Sequence, residues 1–164
     1  MTLSKSMRAL LWCSFALYCL FLIKLLFLEM RIQYSFSAIW HYMNLIPFKT
    51  LYDYAVRVAA NSINTDVVVR NLIGNLIAFF PMGCYLPCLF QRLGKIKRFC
   101  RTLLGMLVGV ELLQLLLRVG TFDIDDILFN FGGAIAGFGI VHIPAVTKLL
   151  KKIHIFKSGE NFSD

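Results

Sequence analysis

Residues 102–119 read TLLGMLVGVELLQLLLRV, a run in which only Glu111, Gln114 and Arg118 are strongly polar. A helix needs about 20 apolar residues to cross a hydrocarbon core of about 30 Å. A soluble helix of this length would carry a charged face. This one is apolar nearly all round, and three further stretches share the property. They are Ala9 to Leu28, broken by Lys24; Asn71 to Phe90, containing Asn71, Asn75, Pro81 and Pro87; and Ile127 to Val146, glycine-rich with Asn130 and His142. The expected fold is all-α: a polytopic membrane helical bundle with four transmembrane helices. It forms a single domain over residues 1–164, with a basic tail at 147–164.

The composition agrees. Hydrophobic residues make up 59% of the 164, against about 45–50% in soluble domains. That content excludes a disordered chain. Five cysteines, an odd number lying mostly in apolar runs, argue against a disulfide scaffold. The first apolar run exceeds the ~7–15 residues of a signal-peptide core and lacks a small-x-small site after Leu28, so it reads as an uncleaved anchor.

The net charge of +8 suggests a nucleic-acid binder until the charges are located. Lys5 and Arg8 precede the first span; Arg92, Lys95, Lys97, Arg98 and Arg101 join the second and third; Lys148, Lys151, Lys152 and Lys157 form the tail. Gly120 to Asp126 has no Lys or Arg and three aspartates. Lys and Arg mark cytoplasmic loops. Both termini are therefore expected on the cytoplasmic side of the membrane, with no nucleic acid as partner. The tail reads as a solvated end beside anionic lipid.

The first outer link, Glu29 to Arg70, holds Trp40 and four of the six tyrosines, which suits a membrane interface. Leu51, Tyr54, Ala55 and Val58 recur at helical spacing and predict a short interfacial helix. Thr65 or Asp66 is expected to cap a helix from Val67 into the second span. Pro81 has no N–H to offer the Ile77 carbonyl and predicts a kink. Gly105-x-x-x-Gly109 and Gly133-x-x-x-Gly137 predict close helix packing. A weak repeat relates Asp66, Asn71, Gly74 and Phe79 to Asp125, Asn130, Gly133 and Phe138.

Polar residues inside the spans carry a penalty that needs a reason. Asn71 and Asn75 share one face of span two; Glu111, Gln114 and Arg118 share one face of span three; Asp126 and Asn130 open span four, behind Asp123 and Asp125. At a rise of ~1.5 Å per residue Glu111 lies about 12 Å below the outer end of its span. All lie on the outer side, and facing lipid would be costly for each. The functional reading is an outward polar pocket. The structural one is interhelical bonding, with Glu111 paired to Arg118 or Asn75 and Asp123 capping span four.

These residues resemble the VanZ-like family. The resemblance rests on Asn44-Leu-Ile-Pro47-Phe48, Asn71-x-x-Gly74-Asn75 with Phe80-Pro81-x-Gly83, Glu111-x-x-Gln114, and Gly120-Thr-Phe-Asp123-Ile-Asp125-Asp126 with Asn130 and Gly133, in order from about Asn44 to Gly137. It implies a bacterial cell-envelope protein of the cytoplasmic (inner) membrane that contributes to glycopeptide resistance of the teicoplanin type. Its characteristic positions are Asn44, Pro47, Phe48, Asn71, Asn75, Pro81, Glu111, Gln114, Asp123, Asp125, Asp126 and Asn130.

Glu111, Asp123 and Asp126 are the candidate catalytic residues; Asn44, Asn71, Asn75, Gln114, Arg118, Asp125 and Asn130 are the candidate substrate-binding ones. Glu111, drawn out of water, could exchange a proton. The oxygens could instead hold magnesium or calcium, although the spacing is no recognised metal loop. Simple binding is the third option, so the residues suit enzyme and binder alike. No cofactor and no resident metal are assigned. Expected partners are a membrane lipid or cell-wall component, a lipoglycopeptide, and further copies of the chain. Alternatives are a proton- or ion-coupled transporter or flippase subunit using Glu111, and a non-catalytic scaffold. His41 reads as interfacial, and Cys84, Cys88 and His142 lie toward the inner side.

Overall fold

The computed structural model describes residues 2–28, 36–152 and 155. Four helices are long and apolar enough to cross a membrane. They are α1 (Thr2–Ile23), extended by a π-helical segment Lys24–Leu28; α3 (Thr65–Leu89); α4 (Ile96–Leu117); and α5 (Ile124–Val141). The shorter elements are a 3-10 helix Phe36–Tyr42, β1 (Met43–Asn44), α2 (Lys49–Ala59), β2 (Phe122–Asp123) and α6 (Pro144–Lys152). The all-α membrane bundle expected from hydropathy is what forms. The expected amphipathic helix in the first link is α2, with Tyr54 and Val58 half-buried and Leu51 exposed.

Three boundaries differ from the sequence reading. α3 starts at Thr65, with Asn64 in the N-cap position, so neither Thr65 nor Asp66 occupies that position. α5 starts at Ile124 because the Asp123 side chain accepts from Asp125 N and caps it. It ends at Val141, short of the expected Val146. Proline at 144 disfavours helical geometry in the residue before it. The same proline then suits the first turn of α6. α3 runs through Pro81 and Pro87 as one helix. Tyr18 Oη donates to the Ala78 carbonyl at 2.7 Å, beside the Ile77 carbonyl that Pro81 cannot serve.

α3 and α5 form the centre of the bundle, and glycines let them approach. A Cβ on Gly83 would collide with the Ala134 carbonyl oxygen, one on Gly133 with that of Leu76, and one on Gly137 with that of Phe80. The pairs 76 with 133 and 80 with 137 ascend together, so the two helices run parallel. α4 returns alongside α5, packing Phe99, Leu103, Leu107 and Leu115 into the core. Phe99 lies 4.5 Å from Phe138 of α5, ring centre to ring centre. α1 is held by aromatic edges, Trp12 on Phe90 and Phe15 on Tyr85, each at 5.4 Å.

The expected packing role holds for Gly133 and Gly137 but not for Gly105 and Gly109, whose Cβ positions meet nothing within 4 Å. Identical spacing thus has opposite outcomes, because α4 turns its glycines away from α5. The weak repeat also diverges: Asp66, Asn71 and Gly74 are exposed, whereas Asp125, Asn130 and Gly133 are buried.

Charge separates along the bundle. At one end, the link between α3 and α4 exposes Arg92, Lys95, Lys97 and Arg98. His142, after α5, reaches the Gly94 carbonyl of that link at 3.0 Å. Three carboxylates, Asp123, Asp125 and Asp126, gather at the opposite end, where α5 begins.

Substitution at the tight crossing should be far more damaging than at the open glycines. Gly137→Val must push back a backbone carbonyl and is expected to destabilise the protein by about 3 kcal/mol. Gly105→Ala fills open space and should stabilise α4 by about 1 kcal/mol through helix propensity. Thermal unfolding of both variants in detergent checks the contrast.

Candidate functional site

The acidic end is built by two short segments of extended backbone. β1 and β2 pair in parallel, placing Met43 against Phe122 and Asn44 against Asp123. Irregular backbone at membrane depth is tolerated where protein satisfies its polar groups. The carboxylates supply that satisfaction.

Asp123 is buried and accepts three bonds, the first of which is the α5 cap: Oδ1 takes Asp125 N at 2.9 Å and Asn44 Nδ2 at 3.0 Å, and Oδ2 takes Thr50 Oγ1 at 2.5 Å. Its own N–H donates to Glu111 Oε2 at 3.1 Å. Asp125, 1% exposed, turns toward α2. Its Oδ1 accepts from Phe48 N at 2.6 Å, and its Oδ2 accepts from Thr50 N at 2.9 Å and Leu51 N at 3.4 Å. These are N–H groups at the start of α2, where a helix has no internal acceptors for them. A carboxylate there also suits the positive end of the helix dipole. Phe48 holds a left-handed backbone, φ 65°, an unusual conformation for a bulky residue. Its bond to Asp125 fixes that turn.

A second group of polar atoms lies between α3, α4 and α5. Asn75 Nδ2 donates to Asp126 Oδ1 at 2.5 Å. Asp123 and Asp126 are near enough to Glu111 for their charges to repel. Among the described residues no donor reaches Glu111 Oε1 or Asp126 Oδ2. Asn130, 2% exposed, points into the bundle one turn beyond Asp126. Its Oδ1 is buried and has no hydrogen-bond partner among the described residues. An unpaired buried amide oxygen costs roughly 1–3 kcal/mol.

The sequence candidates therefore divide. Glu111, Asp123, Asp125 and Asn44 join one hydrogen-bonded assembly, while Asn75 and Asp126 form a separate pair, with Asn130 one turn further along α5. Gln114 is buried but bonds elsewhere, donating Nε2 to the Leu26 carbonyl at 2.9 Å and so tying α4 to α1. Asn71 is exposed and donates to Tyr54 Oη at 2.7 Å, bracing α2. Arg118 does not continue the inner face of α4: it is the left-handed C-cap, φ 56°, and is exposed. Glu111 bonds Asp123 N, while Asn75 serves Asp126. Thr50 escaped the sequence reading, since a threonine in an exposed amphipathic helix carries no sign of a partner 73 residues away.

Among the described residues no three of His, Cys, Asp and Glu stand in a metal-holding arrangement. His142 is at the basic end, with Nδ1 2.8 Å from the Phe138 carbonyl. Cys84 donates to the Gly137 carbonyl at 3.5 Å within the α3–α5 contact. His41 is exposed in the 3-10 helix.

Asp125→Ala should orphan the N–H groups of α2, at a local cost of about 2 kcal/mol. Hydrogen exchange over residues 44–59 is expected to accelerate while α3 and α5 remain protected. Unchanged exchange there would show that the carboxylate does not hold the link.

A protein-family model described as VanZ/LLP1 matches residues 15–146. The chain is 26% identical over 148 residues to Protein VanZ of Enterococcus faecium, covering 85% of this chain and 82% of that protein. No solved structure matches it. The matched region includes α3, α4 and α5 complete, together with the two-stranded pairing that assembles the acidic end, and the chain belongs to the VanZ/LLP1 family.

Proposed function

We propose that this chain is a cell-envelope membrane protein that lowers sensitivity to teicoplanin-type glycopeptides. In this reading both termini are cytoplasmic and the acidic end faces outward. There Glu111, Asp126 and Asn130 engage a donor-bearing group of a cell-wall or lipid component. The exposed Arg92, Lys95, Lys97 and Arg98 at the opposite end support the orientation. Family membership supports the link to resistance.

One observation carries the site: Asn130 Oδ1, buried without a partner among the described residues, one helical turn along α5 from Asp126. A purely structural cluster would be expected to pair such an atom or dispense with it. Asp123 and Asp125, whose oxygens are fully engaged, frame the site. Glu111, Asp126 and Asn130 retain acceptor capacity for a ligand.

Asn130→Leu separates this reading from a scaffold. Replacing an unpaired amide by an apolar group of similar size should raise stability, by about 1–2 kcal/mol. A scaffold would then work as well or better. A ligand site would lose function, so cells expressing Asn130→Leu, Glu111→Gln or Asp126→Asn should become as sensitive to teicoplanin as cells lacking the protein, at unchanged abundance. Full protection by all three variants would refute the site. A transporter using Glu111 would instead show proton-coupled uptake in vesicles, lost in Glu111→Gln.

Orientation has its own measurement. In a cysteine-free background, Asp53→Cys should react with an impermeant thiol reagent from outside, and Lys97→Cys only after permeabilisation. The reverse pattern would overturn the outward placement.

A further inference from the structure

An apolar cavity of about 200 Å³ lies between α1, α3 and α4, and Leu22, Leu26, Phe79, Met106 and Val110 are among its walls. It exceeds the roughly 150 Å³ that suffices for an engineered apolar cavity to take a small hydrocarbon. The first span is the least buried of the three: 6% of its apolar window is buried, against 33% for α3 and 28% for α4. The result is a recess in the side of a membrane-spanning bundle, where the surrounding solvent is lipid chain.

Two features single out its occupant. The first is length. On α1 the recess runs from Cys19 to Phe27, about 12 Å at a rise of ~1.5 Å per residue. The chains of one leaflet fill half of a hydrocarbon core of ~30 Å, about 15 Å. The second is continuity with the polar site on two helices. Val110 lines the recess and precedes Glu111 in the chain. Phe79 lines it one turn from Asn75, the partner of Asp126. Leu26, at the edge of the recess on the first span, is held to α4 by Gln114, which keeps that wall in place.

We propose that this recess holds the acyl chain of a bilayer lipid whose polar end faces Glu111, so that recess and polar site form one amphiphile-binding site. The inference rests on the polar cluster being a ligand site and names the class of that ligand. Recess and cluster match the two halves of an amphiphile: a wholly apolar wall for the chain, and oxygen acceptors at its upper edge for hydroxyl or amine donors of the headgroup.

The test is photo-cross-linking of the full chain in lipid nanodiscs containing a phospholipid with a diazirine on its acyl chain, mapped by mass spectrometry. Labels are expected to concentrate severalfold on Leu22, Met106 and Val110 over Leu112 and Leu116, which are exposed on α4. Met106→Trp and Val110→Phe, which fill the recess, should each abolish those labels and leave labelling at Leu112 intact. Even labelling of all these residues in the unaltered protein, or recess labels surviving both substitutions, would overturn the proposal. The polar reading fails separately. If Glu111→Gln and Asn130→Leu still protect cells while the recess labels persist, the recess stands and the polar site is not the working part. If those variants lose protection but the recess is never labelled, the converse holds.

Discussion

Two carboxylates, Asp123 and Asp125, hold the acidic end of this protein together. Between them they accept from the side chains of Asn44 and Thr50 and from backbone N–H groups at Phe48, Thr50, Leu51 and Asp125. The segment from Met43 to Leu51 is otherwise a turn and a two-residue strand, which could not remain fixed at a membrane surface on its own bonds. Burying a charge is costly unless its oxygens find donors, and here the donors are N–H groups that would themselves be orphaned at a helix start. Each requirement answers the other. Because the partners are amides and a hydroxyl, not cations, the assembly needs no lysine or arginine at the acidic end.

That clamp works only because α3 and α5 are already close. Gly83, Gly133 and Gly137 bring the two backbones into contact, and the parallel register they impose sets Asn75 opposite Asp126. The geometry of the polar atoms thus descends from glycines in the middle of the bundle. Packing in a membrane lacks a hydrophobic drive between helices and relies on close approach and hydrogen bonds. Here glycine supplies the approach near the centre, and the Asn75–Asp126 and Glu111–Asp123 bonds supply the second contribution toward one end.

Much of this was legible in the sequence. The four spans, the helix at Leu51 to Val58, the Asp123 cap and the gathering of polar residues at one end follow from periodicity and charge. What hydropathy could not show was facing. Gly105-x-x-x-Gly109 and Gly133-x-x-x-Gly137 are the same pattern, yet only the second meets another helix. Arg118 lies at helical spacing from Glu111 but one residue beyond the last turn, where a left-handed cap redirects it. The pairing of Asn44 with Asp123 joins residues far apart in the chain, with no local periodicity to announce it. The end of α5 was readable, since Pro144 stands inside the stretch whose apolar content ran past it.

The deepest limit of the sequence concerns the acids themselves. Glu111, Asp123, Asp125 and Asp126 look alike as a set of carboxylates beside amides, and their spacing invites treating them as one site. Hydrogen-bond donors divide them. Asp123 and Asp125 are saturated by the fold, so a ligand at either would have to displace bonds that hold α2 in place. Glu111 and Asp126 each use one oxygen in the fold. The unpaired amide oxygen of Asn130 lies on their side of the division, not on that of the clamp. The unspent acceptors, rather than the number of acids, are what the proposed ligand site at this end of the bundle rests on.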